Sequence, residues 1–526
     1  MPLFNGLKRI GWGMRYAVNR SQSDYYASTT TSLRFSFLML FFVGIAGICL
    51  YQMLDKTEIA IGIIVIGIST ILILRSPDWI ILPIIILNST FFGPGSLPSM
   101  LARILTGGSN VFNTEDLLLF TAIILSIWEY LMLGKDKQPK TSLAGAAIAI
   151  LVFITLFGYA RGMWLLNSDW RRIWYDMSGI IYLLLYFPLV ILLNTPKRIK
   201  GFIIGLGVCL VFYILFNMKT YLFPQALSYD YIFGMTGVSE RGAGESVRNP
   251  GILFAVMGAL VCYATYMFTE GPKHRWLYLT LTILSLVAIS VNKGRNAYIG
   301  TLLGILIIWL AASWQAKWRS IIHTLIIVAI ITPFFFAIPA VGKRFAQLWD
   351  ESYLRFSQTF EREQFIKGGI KDRLIEIDIA KVAWLTDPIL GYGYGKAYGG
   401  RAGGSTYSTG MHISSLYYTH NSWMFHALKG GIIQVLALLF VILAAFLQPF
   451  LLMRKSKSGI VIGACWASIA FVLAMTLGSM VQGNFYLSPY TTCLVLGIAF
   501  PELIERYVRL KAEDEAKLLE EIAVSA

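Results

Sequence analysis

A histidine stands at the end of the longest polar segment of this chain, where a hydrophobic stretch begins. This residue, His420, follows the segment 341–419 and precedes Asn421. An imidazole can act as a general base or acid near neutral pH, and the Asn421 amide is a candidate to fix its tautomer. A lone histidine at the edge of a hydrophobic stretch can equally be structural. His412 and His426 are weaker candidates, one inside the polar segment and one deeper in the hydrophobic stretch.

Several cations lie where an anionic ligand would need them. Arg295, close to Lys293, lies in a very short connection between two hydrophobic stretches, and Arg373 lies on the polar face of a predicted helix. Arg248 directly precedes another hydrophobic stretch. A planar guanidinium is well suited to phosphate, so these residues are candidate phosphate ligands. Two structural roles compete with this one: contact with lipid headgroups for Arg295, and an intrahelical pair with Glu376 for Arg373.

The elements that must position these residues are hydrophobic helices. The chain is 56% hydrophobic and 14% charged, and its mean hydropathy is +0.64. Soluble domains carry about 25% charged residues, so the composition predicts an all-α polytopic membrane protein. Apolar runs of membrane-spanning length predict about 12 to 14 transmembrane helices. They lie near 33–53, 59–74, 79–92, 117–133, 143–160, 178–194, 201–217, 251–268, 276–292, 297–313, 321–340, 421–451, 459–481 and 485–500.

The basic residues predict which side of the membrane each connection faces. The N-terminal segment is basic and lacks the apolar core and cleavage site of a signal peptide. Alternate connections are also basic, as the positive-inside rule requires of cytoplasmic loops, so both termini are predicted to be cytoplasmic. The net charge of +15 follows in part from this topology, and the outward cations fit an anionic substrate better than nucleic acid. The predicted organisation is a cytoplasmic segment 1–34, transmembrane helices 1–11 over 35–340, a large outward loop 341–420, transmembrane helices 12–14 over 421–500, and a cytoplasmic tail 501–526.

The outward loop 341–420 is predicted to contain a helix followed by a flexible part. Helical spacing of apolar residues predicts an amphipathic helix over Lys371–Trp384, lying on the membrane surface with Arg373 and Glu376 on its polar side. Asp387-Pro388 ends this helix, and the Gly- and Tyr-rich stretch 391–419 is predicted to be a mobile aromatic flap. The residues assigned to the apolar face are Leu374, Ile377, Lys381 and Trp384, the lysine through its aliphatic stem.

Other polar and sulfur-containing residues are assigned structural roles. Arginine and tryptophan residues of the hairpin 161–174 indicate interfacial anchoring. The five cysteines fall within predicted spans and are expected to be buried. The spans are nearly free of charge, with Glu129 as the main exception. No pair of outward acids is spaced like metal ligands, so no metal site is predicted; Asp55 and Glu58 are a distant option.

Three short motifs occur in a characteristic order between residues 245 and 485. The first is Lys293-Gly294-Arg295-Asn296, the second runs from Arg373 through Pro388-Ile389-Leu390-Gly391 to Gly393, and the third is His420-Asn421 followed by Lys429-Gly430-Gly431. Together they resemble the O-antigen ligase and O-antigen polymerase superfamily of bacterial envelope membrane proteins. One motif departs from the pattern, because the family's short turn usually reads Ser-Arg-Gly and here it reads Gly-Arg-Asn.

The resemblance implies a glycosyltransferase of the bacterial inner membrane. Such an enzyme takes a glycan from undecaprenyl diphosphate on the outer leaflet and passes it to an acceptor hydroxyl, with no nucleotide sugar, metal or other cofactor. By the same resemblance, Arg295 and Arg373 bind the diphosphate and His420 activates the acceptor hydroxyl. The supporting candidates are Arg248, Lys293 and Asn421.

Three functions remain open at this point. A ligase would use a glycolipid, such as lipopolysaccharide, or a protein as acceptor. A polymerase would use a second lipid-linked glycan with the same chemistry. A lipid-linked oligosaccharide flippase would instead predict charged residues inside the spans and short loops on both sides. The large polar segment on one side favours an enzyme, whose acceptor specificity is expected to lie in 218–250 and 391–419.

Overall fold

The computed structural model describes most of the chain after residue 75. Residues Ile80–Ala526 form one unit and Met1–Trp79 another, of which only 76–79 are described. The predicted spans near 33–53 and 59–74, Arg248, Lys293 and His412 therefore lie outside the described residues. The described ranges are 76–88, 114–133, 139, 142–222, 239–240, 245–246, 251–269, 274–292, 295–337, 342–343, 346–350, 353, 371–398, 419–480 and 482–525.

Helices dominate the described residues, because long apolar runs can satisfy their backbone hydrogen bonds internally in this form. The first group is α1 (Ile81–Asn88), α2 (Thr114–Met132), α3 (Leu143–Trp164), α4 (Trp170–Ile181), α5 (Tyr186–Leu192) and α6 (Pro196–Leu222), with a 3₁₀ turn joining α4 to α5. The second group is α7 (Ile252–Phe268), α8 (Arg275–Asn292), α9 (Arg295–Ala311), α10 (Trp314–Ala337), α11 (Lys371–Trp384), α12 (Ser422–Lys455), α13 (Gly459–Gly478) and α14 (Ser488–Ser525). A two-residue antiparallel pair, β1 (Ser239–Glu240) with β2 (Glu245–Ser246), is the only strand structure in these ranges.

The prediction of an all-α polytopic bundle is confirmed. Each predicted span from residue 79 onward coincides with a helix. Among the described residues, six helical segments are long and apolar enough to cross a membrane, and three further apolar helices are shorter. The six are Leu143–Trp164, Trp170–Leu192, Pro196–Met218, Arg275–Asn292, Ser422–Lys455 and Gly459–Gly478. Cys262, Cys465 and Cys493 are buried in helices, as expected, whereas Cys209 is only partly buried and Cys49 lies outside the described residues.

Close helix packing in the bundle depends on small residues. α13 contacts α7, α9, α12 and α14. A Cβ atom added to Gly300 of α9 would lie 2.9 Å from the Cβ of Ala474 on α13, so the two backbones approach closely there. Small residues allow this approach between membrane helices, where packing replaces the hydrophobic driving force of water.

Helix α12 is broken near its start, and the segment 385–398 fills the break. Gly431 has φ 70° and ψ −167°, a conformation essentially restricted to glycine. The freed helix groups find partners in the inserted segment: Tyr392 N donates to Leu428 O at 2.7 Å, and Ile432 N donates to Pro388 O at 3.0 Å. Non-helical backbone at such a position is tolerated where protein groups satisfy it. The inserted segment directly follows α11 and therefore holds that helix against the bundle.

Candidate active site

An open cavity of about 530 Å³ lies where three helices begin. Its walls come from the first turns of α4, α12 and α14, from the chain just before α14, and from α11. The positive ends of three helix dipoles therefore surround the cavity, which favours a negatively charged ligand. The lining residues are Arg172, Tyr175, Asp176, Arg373, His420, Phe425, Gln482, Gly483, Tyr486, Leu487 and Tyr490.

Two of the predicted site residues, Arg373 and His420, line this cavity together. His420 lies just before the N-cap of α12 and its side chain is 46% exposed. Arg373 lies in the first turn of α11, which packs against α12. The packing of α11 on α12 thus brings a guanidinium and an imidazole to one opening. Together they can bind an anion and exchange a proton with a neighbouring group.

The side-chain partner of His420 is a buried carboxylate. Glu376 of α11 is only 2% exposed, and its Oε2 lies 2.9 Å from His420 Nδ1. The same oxygen accepts the backbone N–H of His420 at 3.1 Å. Sequence reasoning assigned Glu376 to the polar face of the helix as a partner of Arg373, so its contact with His420 was missed. No local spacing links Glu376 with His420, so the sequence offered no signal for this pair.

The bounds predicted for α11 are correct, and Glu376 is the residue whose predicted surroundings are wrong, because it is buried against the protein. Glu376, Ala380 and Ala383 face the protein and are buried, and the two alanines form a small cluster with Leu428 of α12. Leu374, assigned to the apolar face toward the membrane, is 55% exposed. Of the polar residues, Glu376 turns inward to contact His420 and Arg373 lines the cavity, whereas Asp378 and Lys381 are exposed. The apolar residues face outward, where a bilayer would cover them.

Asn421 does not contact the ring of His420 in the way predicted. Its side-chain oxygen accepts the N–H of Met424 at 2.8 Å and thus caps α12, as asparagine commonly does at a helix start. Its side-chain NH₂ donates to Met480 O at 2.9 Å. Both ends of the amide are therefore used in fixing the helix start, and the carboxylate of Glu376 occupies the position predicted for Asn421.

Arg172 is a cavity residue that sequence reasoning assigned to membrane anchoring. It lies in the first turn of α4 and lines the cavity together with Arg373. The adjacent Arg171 is absent from the lining, and its guanidinium lies 5.7 Å from the ring centre of Trp170. Adjacent side chains of an α-helix point about 100° apart around the axis, so one arginine reaches the cavity and the other an aromatic ring. The arginine pair itself was visible in the sequence.

Arg295 is placed near the cavity by its backbone. It is the first residue of α9, and its side chain lies outside the described part of the structure. The next residue, Asn296, lines a small cavity of about 10 Å³ together with Gln482. Gln482 also lines the large cavity. Gln482 is thus shared by the large cavity and by the small cavity that reaches the start of α9.

A buried ion pair lies directly behind the cavity. Lys429 Nζ of α12 is 2.6 Å from Asp176 Oδ2 of α4, and their side chains are 0% and 7% exposed. Lys429 also donates to Lys396 O at 3.1 Å, and Gly395 N donates to Asp176 at 2.7 Å. The prediction that Glu129 is the main charge within the spans is therefore wrong. Asp176 was missed because it precedes the predicted span 178–194, whereas the helix begins at Trp170. Lys429 lies inside the predicted span 421–451 and was overlooked as a charge there.

The first part of the predicted mobile flap is packed into the bundle. Tyr394 is fully buried, and its hydroxyl accepts a hydrogen bond from Gln434 Nε2 at 2.5 Å. Burial raises the pKa of this phenol above its ordinary value, so it stays neutral. His426 is also fully buried and contacts Gln434 at 2.9 Å, which gives it a structural role. Residues 391–398 are thus an ordered insertion, and the remainder, 399–418, lies outside the described residues.

The hairpin 161–174 also contributes to holding this insertion. Arg161 NH2 lies 2.6 Å from Asp387 Oδ2, and its NH1 donates to the carbonyl oxygens of Leu390 and Gly391, both at 2.8 Å. The role predicted for Arg161 was interfacial anchoring. The contacts instead tie the end of α3 to the turn that follows α11.

Comparison with protein families and with curated proteins identified no relative. No protein-family model matches the sequence, and no curated protein matches it at a significant level.

Proposed function

We propose that this protein is a membrane glycosyltransferase of the O-antigen ligase type. It would transfer a glycan from undecaprenyl diphosphate to an acceptor hydroxyl at the outer face of a bacterial inner membrane, with both termini in the cytoplasm. The observation that carries the proposal is the cavity in which His420, Arg373 and Arg172 meet at the starts of three helices. These groups supply what transfer from a lipid diphosphate requires: a proton acceptor and a cationic site for the leaving group.

The cations are assigned to the diphosphate. As the bond between the anomeric carbon and the phosphate oxygen breaks, negative charge grows on the departing diphosphate. Guanidinium groups already in position stabilise that charge without reorganising, and each such donor contributes about 2.7–4 kcal/mol in well-studied enzymes. Arg373 and Arg172 line the cavity, and Arg295 would approach from the start of α9. The helix dipoles around the opening act in the same direction.

His420 is assigned to the acceptor. The imidazole would remove the proton of the acceptor hydroxyl as its oxygen attacks the anomeric carbon, on the face opposite the diphosphate. Direct displacement of this kind inverts the anomeric configuration. The half-exposed ring is compatible with access by a large acceptor.

The polymerase alternative uses the same residues and differs only in the acceptor. The charges found within the spans give little support to the flippase alternative. Asp176 and Lys429 are buried and contact each other and the inserted segment. Glu129 lies 3.5 Å from Arg198. These charges pair with one another and hold elements together, and Asp176 also lines the open cavity.

The proposal is tested with purified protein reconstituted in liposomes with a lipid-diphosphate-linked glycan. Candidate acceptors are added one at a time: a lipid A-core glycolipid, an acceptor protein, and a second lipid-linked glycan. We expect release of undecaprenyl diphosphate together with a glycosylated acceptor, detected by mass spectrometry. Elongation of the lipid-linked glycan alone would identify a polymerase. Movement of intact donor between leaflets without transfer would contradict the enzyme proposal and support a flippase.

A further inference from the structure

We infer that Glu376 is the positioning residue of this site, which holds the His420 ring with its proton on Nδ1 and Nε2 as the proton-accepting nitrogen. This inference rests on the proposed function for its catalytic consequence. The orientation of the ring can be measured independently of activity. Glu376 acts through His420, and no contact with substrate is assigned to it.

The tautomer follows from the contacts of a single oxygen atom. Glu376 Oε2 accepts the backbone N–H of His420 at 3.1 Å and lies 2.9 Å from Nδ1. A backbone N–H can only donate, so this oxygen acts as an acceptor. An ionised carboxylate is an acceptor at both oxygens, and Nδ1 must then carry the hydrogen. In a neutral imidazole with Nδ1–H, the lone pair that can take a proton is on Nε2.

The backbone around His420 is held by contacts that do not involve Glu376. The Tyr486 hydroxyl donates to Thr419 O at 2.6 Å, and Asn421 caps α12 and donates to Met480 O. Removal of the carboxylate should therefore leave the start of α12 in place and release the ring. This separates a role in positioning the ring from a general role in folding.

Burial makes the Glu376 carboxylate effective in this role. It is 2% exposed, whereas the ring that it holds is 46% exposed. Water therefore competes little for the carboxylate, while the ring remains accessible from the cavity. The arrangement corresponds to a carboxylate that orients a catalytic imidazole from behind and stabilises the imidazolium formed during proton transfer.

The transfer step forms one bond at the anomeric carbon and breaks another. The acceptor oxygen forms a bond to the anomeric carbon and its proton moves to Nε2 of His420. The bond between the anomeric carbon and the diphosphate oxygen breaks, and its electron pair stays with the diphosphate, which departs beside the cations. The resulting imidazolium is stabilised through Nδ1–H and Glu376 Oε2, and later releases the Nε2 proton to water or to the diphosphate.

The test combines kinetics with ¹⁵N NMR of histidine-labelled protein in liposomes. The chain has five histidines, so the His420 signals can be assigned by their loss in His420→Gln. We expect wild-type His420 to be protonated at Nδ1 and deprotonated at Nε2 at a pH where the ring is neutral. In Glu376→Gln the amide can donate to the ring as well as accept from it, so we expect mixed tautomers. We expect kcat to fall by as much as about 10⁴-fold, the loss seen when the carboxylate that orients a catalytic histidine becomes an amide, with an unchanged KM for the donor.

Asp378→Asn is the matched control, because Asp378 is an exposed acid on the same helix. It should leave both the tautomer and kcat unchanged. Glu376→Asp keeps the carboxylate on a shorter stem and should recover part of kcat and the Nδ1–H form. It also supplies the comparison if Glu376→Gln does not accumulate as folded protein.

The inference is overturned if Glu376→Gln keeps full kcat, or if wild-type His420 carries its proton on Nε2. Failure of the proposed function has a different signature, in which wild-type protein transfers no glycan to any acceptor whatever the NMR spectrum shows. In that case the tautomer measurement still decides whether Glu376 positions the ring.

Discussion

Breaking the buried pair between Asp176 and Lys429 should destabilise the protein far more than removing both charges together. The perturbations are Lys429→Met, Asp176→Asn and the double substitution. In Lys429→Met the Asp176 carboxylate keeps the N–H of Gly395 and the electrostatic field of Arg172 but loses its ion-pair partner. In Asp176→Asn a buried ammonium is left facing a neutral amide.

The magnitudes follow from the burial of both groups. Removal of one partner of a buried ion pair costs about 3–5 kcal/mol, because the other charge stays desolvated and uncompensated. The double substitution leaves no buried charge. The amide introduced by Asp176→Asn would still accept from Gly395, and the main remaining loss is the donor to Lys396 O, which costs about 1–3 kcal/mol. The double variant should therefore be more stable than either single variant.

The assay is the unfolding transition of purified protein in detergent, followed by fluorescence of its 14 tryptophans. Lys381→Met serves as the control, because Lys381 is exposed on α11 and its loss should change stability by less than about 0.5 kcal/mol. The expected order of stability is wild type, double variant, then the two single variants. A double variant as unstable as the sum of the singles would refute the reasoning, since the two charges would then act independently.

Three further predictions concern the insertion, the cations and the helix cap. Gly431→Ala should lower the melting temperature, because it combines about 1–3 kcal/mol of backbone strain with a Cβ 2.0 Å from Ile389 O. An unchanged melting temperature would contradict the close approach of Ile389 to the break in α12. Arg172→Gln should slow glycan transfer roughly 10²- to 10³-fold, corresponding to about 2.7–4 kcal/mol for loss of one preorganised donor, whereas Arg171→Gln should have little effect. Equal rates for the two variants would remove Arg172 from the site. Asn421→Ala should lower stability by about 0.5–2 kcal/mol through loss of the cap; abolished transfer with unchanged stability would instead give Asn421 a direct role.

Hydropathy and helical spacing predicted the elements well, because both depend on neighbouring residues. The bounds of α11, Lys371–Trp384, follow from its 3–4 spacing and from the Asp387-Pro388 stop. The placement of Arg373 and His420 at one cavity also agrees with the order of motifs along the chain. The first inference used information local to one segment, whereas the second rested on the resemblance to the superfamily.

Long-range polar contacts were beyond the reach of the sequence. Glu376 faces inward on α11 because it contacts His420. Residues 391–398 adopt a defined conformation because they bind backbone groups freed at Gly431. A Gly-Tyr-Gly-Tyr-Gly run without partners is typical of a flexible loop. It is ordered here because Leu428 O, Gln434 and Asp176 supply the missing partners from distant parts of the chain.

The most direct measurement is the single-turnover rate of glycan transfer by purified wild-type protein and by His420→Ala, with lipid-diphosphate glycan and an accepted acceptor. We expect wild type to transfer the glycan and His420→Ala to be slower by about 10²–10⁴-fold, the usual contribution of a general base, with donor binding and melting temperature retained. Transfer by His420→Ala at the wild-type rate would contradict the assignment of His420 as the base.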